Sequence, residues 1–439
     1  MTDRVYRRVK IDATGQLLDV VVSDGVFSKI VPAGTAPAQQ KSTVTDFNGA
    51  LLLPAFVNAH AHLDKAFLFE TATSERVYVD GYYSGPNILE RKSAFTIADV
   101  TERASKLIDW SLQCGVTAIR THVDVDPYAK LVGVEALLQL RERYKGVLDI
   151  QVCAFPQDGL LREKLTPDLM REACRMGIDV MGGKPSADKD RHRHLDIVCD
   201  LAGEFDLDLD IHIDTWVGRN YDYNGGTIEI AGRQVPEMME TSYLAKKTIE
   251  MGWQGRVTAS HLCALSTLQP ALADAVIDLL LAAGIHVCTC PVSNLSSSAR
   301  TDTHDVRRGM APAMRLHERG VLTALATDNV GDAWNLFGGP DPMVQILVAA
   351  PTLHCAVVED LWKLLTMSTT SPSAMLKLPD RAVKSGNAAN FMVVDAPSLW
   401  EAVVRIAPRL QVIRGTQSVA SCSMHCDVVH PPHAQKVFQ

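Results

Sequence analysis

Residues 50–67, ALLLPAFVNAHAHLDKAF, join an apolar run to two histidines spaced two residues apart. The apolar run is typical of a buried β-strand, and His60 and His62 follow where that strand is predicted to end, near residue 58. Side chains at positions i and i+2 of a strand point to the same side, so both imidazoles can bind one ion. A His-x-His pair alone is a weak signal, since imidazole also occurs at surfaces and in cores.

The length and composition indicate an ordinary globular protein. With 439 residues the chain exceeds the roughly 250–300 residues that one core usually supports, so we expect a large domain with an accessory domain. Apolar residues make up 47% and charged residues 21%. The net charge of −8 comes from 43 basic and 51 acidic residues scattered without long blocks. This pattern predicts no nucleic-acid partner and no membrane partner, and it favours a small-molecule substrate.

The N-terminal residues MTDRVYRRVKI lack the apolar stretch of a secretory signal, and no apolar run reaches the length of a membrane span. The ten cysteines lie mostly in apolar segments without framework spacing, which favours reduced thiols. Cys288 and Cys290 could be a metal pair, but their one-residue gap favours buried strand residues. We therefore expect a cytoplasmic protein, and we expect a homo-oligomer whose subunit number the sequence does not give.

Two patterns divide the chain. Residues 1–54 and 385–439 show short β-like runs with Gly and Asp turns, so we expect them to pair into one accessory β-sandwich domain. Residues 55–384 alternate helical and apolar segments, and the first helix has Thr96 and Asp99 as a capping box and Gly115 at its end. Eight strand candidates end near residues 58, 124, 154, 182, 212, 260, 290 and 327. Eight such units predict an α/β fold, a (β/α)8 TIM-like barrel with its reactive side chains at the C-terminal strand ends.

Polar side chains recur at these predicted strand ends. Turn formation requires only residues such as Gly, Asn or Asp, so it does not explain histidine at four different ends. A metal ion explains it, because His212 and Asp328 add a third imidazole and a carboxylate, a set that suits Zn²⁺ or Fe²⁺ with a position left for water. The strand-end residues are His60, His62, His122, Asp124, Gln157, Lys184, His212, Asp214, His261, Asn294, Asp328 and Asn329.

Seven segments carry a resemblance that spans nearly the whole chain: LLPAFVNAHAHLDKAF, RTHVDVD, DIQVCAFPQDG, GIDVMGG, RVTASH, ATDN and SGNAANFMVVD. Together they resemble the amidohydrolase superfamily and, within it, the cytosine deaminase-like branch, most closely the s-triazine-degrading isopropylaminohydrolases. The resemblance implies one divalent metal ion per chain, Zn²⁺ or alternatively Fe²⁺. It implies that His60, His62, His212 and Asp328 hold this ion.

The resemblance also implies roles for other strand-end residues. His261 is expected to act as a base or charge stabiliser, and Lys65 and Gln157 are expected to contact the substrate. The predicted catalytic residues are therefore His261, Asp328 and Lys65, and the predicted substrate-binding residues are Lys65, Gln157, Asn329, Asp214 and Trp216.

Several assignments stay open. His122 could support the metal site or hydrogen-bond within the barrel, and Lys184 could be carbamylated to bridge two metal ions. Thr215 stands where cytosine deaminase-like enzymes have a glutamate that shuttles a proton to the ring nitrogen, and Asp214 could replace it. The segment KDRHRH, which contains His194, favours a solvated helix face.

Two long loops, residues 68–95 and 216–236, are expected to shape the pocket, since βα loops set specificity in barrels. Their aromatic side chains could stack on a flat ring or pack structurally, and the late histidines are expected to be structural or disordered. These residues are Tyr78, Tyr82, Trp216 and Tyr221, and His425, His430 and His433.

These expectations predict a metal-dependent hydrolase that attacks an exocyclic C–N bond of a small pyrimidine or s-triazine heterocycle and releases ammonia or an alkylamine. An activated water would lose a proton to His261 or Asp328 and attack an sp² ring carbon. The alternatives are deamination of cytosine, isocytosine or creatinine, and opening of a cyclic amide. A non-catalytic scaffold is a remote alternative, because such proteins tend to lose their metal ligands. A nucleic-acid-editing deaminase is disfavoured, since no His-x-Glu with Pro-Cys-x-x-Cys occurs.

Overall fold

The computed structural model of the protein describes residues 3–36, 42–69, 78–79, 82–83, 86–217, 223–300 and 302–424. Its strands are β1 (Arg4–Val9), β2 (Leu18–Ser23), β3 (Val26–Pro32), β4 (Thr43–Asp46), β5 (Leu51–Pro54), β6 (Phe56–Ala61), β7 (Tyr78–Val79), β8 (Tyr82–Tyr83), β9 (Val116–Asp124), β10 (Asp149–Phe155), β11 (Val180–Gly183), β12 (Asp208–Ile213), β13 (Thr227–Ile230), β14 (Arg233–Pro236), β15 (Val257–His261), β16 (His286–Thr289), β17 (Thr323–Leu325), β18 (Asn390–Val394), β19 (Arg409–Arg414) and β20 (Gln417–Ser421). Its α-helices are α1 (Pro86–Ser93), α2 (Ile97–Gln113), α3 (Val132–Arg143), α4 (Thr166–Arg175), α5 (Arg191–Glu204), α6 (Glu240–Glu250), α7 (Pro270–Ala282), α8 (Pro291–Ser297), α9 (Ala313–Glu318), α10 (Pro342–Thr352), α11 (Val358–Thr366), α12 (Thr370–Met375) and α13 (Leu399–Val404).

An eight-stranded parallel sheet forms the centre of the fold. Its strands lie in the order β6, β9, β10, β11, β12, β15, β16 and β17, which follows their order along the chain. A parallel bridge between Ala61 and Asp328 connects the first strand to the segment after the last one, so the sheet curves back on itself. Helices connect most of the strands, as the sequence pattern predicts. The α/β class with a (β/α)8 TIM-like barrel is therefore confirmed.

The observed strands end close to the predicted positions, with two informative differences. The ladder between β6 and β9 extends to the pair Ala61 and Thr121, so His60 lies within the first strand rather than after it. The last strand, β17, ends at Leu325, and Asp328 follows in the loop. Both differences leave the predicted polar residues at the C-terminal mouth of the barrel.

Helix α2 shows how local sequence fixes an element of the barrel. The side chain of Thr96 accepts a hydrogen bond from the backbone N–H of Asp99 at 3.1 Å, which caps the first turn. Gly115 follows the helix with φ +90°, a left-handed conformation that favours glycine. A Cβ atom at this position would lie 2.5 Å from the sulfur of Met392, so the close packing of the chain also requires glycine here.

Both ends of the chain contribute accessory β-structure. Strands β1 to β4 form one sheet, and β18 to β20 form a second sheet together with β5. The rings of Tyr6 and Phe391, one from each sheet, pack edge to face with their centroids 4.9 Å apart. The two sheets thus share a buried core, as in a β-sandwich. The exact domain bounds, 1–54 with 385–439 around a barrel of 55–384, stay a prediction.

Three further expectations concern membrane spans, the cysteines and several aromatic and histidine residues. None of the described helices combines the length and apolar character needed to cross a membrane. The nine cysteines within the described ranges are free thiols, and Cys288 and Cys290 are buried. Tyr221, His425, His430 and His433 lie outside the described residues, as do the side chains of Tyr78 and Tyr82.

Candidate functional site

Four buried side chains meet at the C-terminal mouth of the barrel. The metal-binding atoms of His60, His62, His212 and Asp328 all lie within 4.8 Å of one another. Nε2 of His212 is 3.1 Å from Nε2 of His60 and 3.4 Å from Nε2 of His62. Oδ1 of Asp328 is 3.2 Å from Nε2 of His62 and 3.6 Å from Nε2 of His60. Ligand atoms that each lie about 2.0–2.1 Å from a tetrahedral zinc ion are about 3.3 Å apart, so the observed spacing fits such an ion.

The partners of the first two histidines fix their tautomers. Nδ1 of His60 lies 3.1 Å from the hydroxyl of Ser260, whose own proton goes to Asp210 at 2.6 Å, so the hydroxyl accepts from His60. Nδ1 of His62 donates to the backbone carbonyl of His122 at 3.0 Å. Each Nδ1 therefore carries the proton, and the Nε2 lone pairs converge on one point, as metal ligation requires.

The contacts of the Asp328 carboxylate also suit metal binding. Its Oδ2 accepts a short hydrogen bond from Ser293, whereas its buried Oδ1 has no hydrogen-bond partner among the described residues. A buried carboxylate oxygen without a partner is costly, and a cation in the centre of the cluster would satisfy it. The donor set of three imidazoles and one carboxylate thus fits a divalent ion such as Zn²⁺ or Fe²⁺.

The electrostatics of the cluster also favour a cation. Burial, together with the charge of Lys65, lowers the pKa of His62 to about 3. Burial and neighbouring imidazoles likewise lower the pKa of His60 and His212. Burial alone would raise the pKa of Asp328, but the surrounding histidine rings, His62 first among them, hold it well below its usual range. At neutral pH the histidines are neutral and the aspartate is ionised, which is the protonation state of metal ligands.

Left-handed backbone conformations direct these side chains. Asp328 has φ +64°, His261 has φ +75° and Asp214 has φ +46°. Such values are uncommon for residues other than glycine, and they cluster at functional sites where the surrounding structure holds them. All three residues follow or end barrel strands, so the strain lies at the mouth of the barrel.

Asn294, a strand-end residue without a predicted role, holds His261 in place. The amide oxygen of Asn294 accepts from the backbone N–H of Cys290 at 2.9 Å, so its NH₂ group must face His261. That NH₂ group donates to Nδ1 of His261 at 2.8 Å. Nδ1 is therefore the acceptor of the ring, and the proton of the neutral imidazole resides on Nε2.

Lys65 lies behind the cavity rather than in its wall. Its side chain is 1% exposed, and its ammonium group donates to Asp124 at 2.7 Å and to the amide oxygen of Gln157 at 2.9 Å. Gln157 does line the cavity. Because its oxygen is held by Lys65, Gln157 has its NH₂ group left to offer to a ligand. Lys65 thus orients a predicted substrate-binding residue, and the cavity-lining residues do not include Lys65 itself.

The other predicted contact residues divide into two groups. Asn329 and Trp216 line the cavity, and Thr215 lines it too. The carboxylate of Asp214 instead accepts from the backbone N–H groups of Glu240 and Thr241, at 3.0 and 2.9 Å, and so caps α6. The structure therefore does not bring Asp214 into the cavity wall, although its place beside Thr215 suggested this.

His122 packs against the back of the cluster. Its ring stacks on His60 with a centroid distance of 4.0 Å, and its Nε2 lies 3.3 Å from Asp210.

Four residues at the site were not predicted from the sequence: three serines and one tryptophan. Ser260 connects His60 to Asp210 by hydrogen bonds, and Ser293 donates to Asp328. Ser297 and Trp334 line the cavity. Ser260 and Ser293 lie beside predicted strand ends, which is the signal that could have identified them.

The chain is similar to several known proteins. The profile described as the amidohydrolase family matches residues 51–419. N-isopropylammelide isopropyl amidohydrolase of Pseudomonas sp. strain ADP is 30% identical over 380 residues, 84% of this chain and 86% of that protein. Pterin deaminase of Rhizobium rhizogenes strain K84 is 29% identical over 367 residues, 82% of this chain and 78% of that protein. The crystal structure of 5-methylcytosine deaminase from Klebsiella pneumoniae aligns with a TM-score of 0.83 at 26% identity, covering 97% of this chain and 100% of that one.

Proposed function

Because this chain belongs to the amidohydrolase family, we propose that it is a metal-dependent hydrolase that cleaves an exocyclic C–N bond of a small nitrogen heterocycle. The reaction releases ammonia or an alkylamine. The observation that carries this proposal is the convergence of His60, His62, His212 and Asp328 within 4.8 Å of one another. The similar proteins named for isopropylammelide, pterin and 5-methylcytosine support a pyrimidine, pterin or s-triazine type of ring.

We propose one divalent ion per chain, zinc in preference to iron, held by those four residues. An ion held there would supply the Lewis acidity needed to activate a water molecule near neutral pH. A single ion already has four protein ligands, so a carbamylated Lys184 is not needed to complete the site.

The orientation of Asn294 separates two candidate bases. Because Nδ1 of His261 accepts from Asn294, its Nε2 carries a proton and is a donor, not an acceptor. We therefore propose that Asp328 accepts the proton of the attacking water and returns it to the departing amine. His261 donates from Nε2 to the negative charge that develops as the ring carbon becomes tetrahedral.

Gln157 and the two cavity tryptophans are the proposed ring contacts. The NH₂ group of Gln157 donates to a ring oxygen or ring nitrogen, while Lys65 holds the amide in that orientation. Trp216 and Trp334 offer flat apolar faces on the cavity wall. Thr215 cannot supply a proton at neutral pH as a glutamate would. This difference weakens the case for plain cytosine and favours rings that carry more oxo groups than cytosine does, such as ammelide.

Amine release from a set of heterocycles tests this proposal. Metal-loaded protein is incubated with cytosine, isocytosine, creatinine, ammelide and N-alkyl ammelides, and ammonia and alkylamine are measured separately. We expect release from at least one ring, with oxo-substituted triazines ahead of cytosine. Ring opening of a cyclic amide without amine release from any ring would contradict the proposal.

We also propose a cytoplasmic location, because the nine described cysteines are free thiols. Cell fractionation tests this location. The homo-oligomer stays a prediction, which sedimentation measurements test.

A further inference from the structure

Asn329 lines the cavity directly after Asp328, and the proposed reaction gives it no role. Its NH₂ group donates to Oδ2 of Asp332 at 2.6 Å. An ionised carboxylate can only accept hydrogen bonds, so the amide must turn its nitrogen, and not its oxygen, toward Asp332. The amide oxygen of Asn329 is therefore the end that is left for a ligand in the cavity.

The loop backbone fixes Asp332 in turn. Oδ1 of this fully buried residue accepts from the backbone N–H groups of Trp334 and Asn335 at 2.9 and 3.0 Å, which leaves Oδ2 to face Asn329. The side-chain NH₂ group of Asn335 also donates to the backbone carbonyl of Asn329 at 3.2 Å. The loop that follows β17 thus holds both the side chain and the backbone of Asn329 in one orientation.

A second amide in the cavity wall is held in the opposite sense. The oxygen of Gln157 accepts from the ammonium group of Lys65 at 2.9 Å, so Gln157 offers its NH₂ group, whereas Asn329 offers its oxygen. Both holding groups contact Trp334, which also lines the cavity. The backbone N–H of Trp334 donates to Asp332, and its ring centroid lies 4.5 Å from the ammonium nitrogen of Lys65. A donor and an acceptor are therefore presented beside the same tryptophan.

We propose that Asp332 is a positioning residue that makes Asn329 a hydrogen-bond acceptor, and that the cavity therefore selects heterocycles with a ring N–H. Together with the donor of Gln157, this pattern fits a lactam, in which a carbonyl oxygen and an N–H share one edge of the ring. The inference rests on the proposed function, since it names the class of ring that the same site accepts. A ring with a lone pair in place of the N–H would set two acceptors against each other, so it should bind more weakly.

The charge of Asp332 sets the pH of the test. Burial raises the pKa of this carboxyl group to about 7, and the charge of Lys65 opposes the increase. Above this pH the group is an ionised carboxylate and accepts from Asn329. Binding is therefore measured at about pH 8.5, where the ionised form dominates.

Two rings that differ at one position test the inference separately from catalysis. The first, 2-pyridone, carries a carbonyl group beside a ring N–H, and the second, 2-pyrone, has a ring oxygen in place of the N–H. Affinities are measured by NMR titration of the zinc-loaded full chain, which also shows that 2-pyrone stays intact. Zinc content and circular dichroism are measured for each protein.

Asp332→Asn should reverse the polarity of the Asn329 amide. The substituted amide must keep its oxygen on the backbone N–H groups of Trp334 and Asn335, so its NH₂ group faces Asn329. Asn329 then turns its oxygen toward that NH₂ group and its own NH₂ group toward the cavity. A donor in this place favours 2-pyrone over 2-pyridone.

Two further variants complete the test. Asp380→Asn is the matched control, because exposed Asp380 likewise accepts from a backbone N–H, that of Ala382, and from the NH₂ group of an asparagine, Asn387. Asn329→Leu removes the acceptor and leaves Asp332 unchanged, so it tests the inference even where Asp332→Asn fails to fold.

We expect wild type and Asp380→Asn to bind 2-pyridone about tenfold more tightly than 2-pyrone, as one hydrogen bond set against an unpaired acceptor implies. Asn329→Leu should bring this ratio to about one, and Asp332→Asn should bring it to about one or below. A merely structural role of Asp332 would weaken the binding of both rings equally, so the change in the ratio identifies positioning.

A wild type that binds both rings equally, or that does not bind 2-pyridone, would overturn the inference. The wild-type ratio in folded Asp332→Asn or in Asn329→Leu would overturn it as well. If 2-pyridone is preferred as expected but no heterocycle releases an amine, the proposed reaction fails and the inference about Asp332 stands. If amines are released but the preference is absent, the inference alone fails.

Discussion

Asn294 donates a hydrogen bond to Nδ1 of His261 at 2.8 Å, and the backbone of Cys290 prevents the amide from turning over. This contact supports the proposed role of His261 as a proton donor at Nε2. It distinguishes the role of His261 from that of Asp328, which the sequence left as alternative bases. The proposed role depends on the amide group of Asn294, so a single substitution at this position can test it.

Replacing Asn294 with aspartate should reverse the tautomer of His261. A carboxylate accepts from Nδ1–H, so the proton leaves Nε2 and the donor to the substrate is lost. Because a wrong tautomer keeps the geometry but impairs the chemistry, we expect kcat to fall by about 10²-fold or more while KM changes little. The ¹⁵N shifts of His261 report the tautomer directly. Asn224→Asp, an exposed position outside the cavity, should behave as wild type. An Asn294→Asp protein with normal kcat would contradict the assignment.

Lys65 should act through Gln157. The lysine holds the amide oxygen at 2.9 Å, so Lys65→Met and Gln157→Ala each lose the oriented donor. We expect each single variant to lower kcat/KM by about 10- to 100-fold, and the double variant to lose no more than the worse single variant. Circular dichroism and metal content serve as controls for folding, because Lys65 also pairs with Asp124. Additive losses in the double variant would indicate that Lys65 contacts the substrate itself.

Gly115 should tolerate alanine less well than Gly146. Both residues have left-handed backbones, with φ +90° and +87°, but a Cβ would lie 2.5 Å from Met392 at position 115 and would meet nothing within 4 Å at position 146. Alanine in a left-handed conformation costs about 1–2 kcal/mol, and overpacking costs about 1–3 kcal/mol more. Urea unfolding should therefore show Gly115→Ala about 1–3 kcal/mol less stable than Gly146→Ala. Equal stabilities would show that the barrel and the accessory sheet are not packed closely at this point.

The buried pair of Glu240 and Asp214 predicts a pH effect on stability. Burial, and then the charge of Asp214, raise the pKa of Glu240 from 4.5 to about 8. An acid with a raised pKa in the folded state binds a proton more tightly there, so its contribution to stability is lost as pH rises from about 4.5 to about 8.

Glu240→Gln removes this titration. We therefore expect the unfolding free energy of wild type, relative to the variant, to fall across that pH window. The exposed Glu237→Gln serves as the control, and its difference from wild type should not follow pH in this way. A flat difference for Glu240→Gln would show that Glu240 is ionised throughout.

The sequence predicts the barrel well because local patterns determine it. Apolar strands, capped helices and the glycine after α2 are properties of short segments, and the histidines at the strand ends stand out from ordinary turn residues. The positions of Lys65, Asp214 and His194 could not be obtained in this way. Their partners lie 92, 26 and 10 residues away in the chain, at Gln157, Glu240 and Lys184. Only the folded chain brings these groups together. The resemblance placed Lys65 against the substrate and chain position placed Asp214 there, whereas the expected solvated face at His194 is wrong, because His194 is buried.

The metal content of the purified chain, measured together with amine release before and after chelation, tests the proposed metal site. We expect about one divalent ion per chain, loss of amine release when the ion is removed, and recovery when zinc or iron is returned. His212→Asn should lose both the ion and the activity. A metal-free chain that releases amine as fast as the loaded one would contradict the proposed metal-dependent reaction.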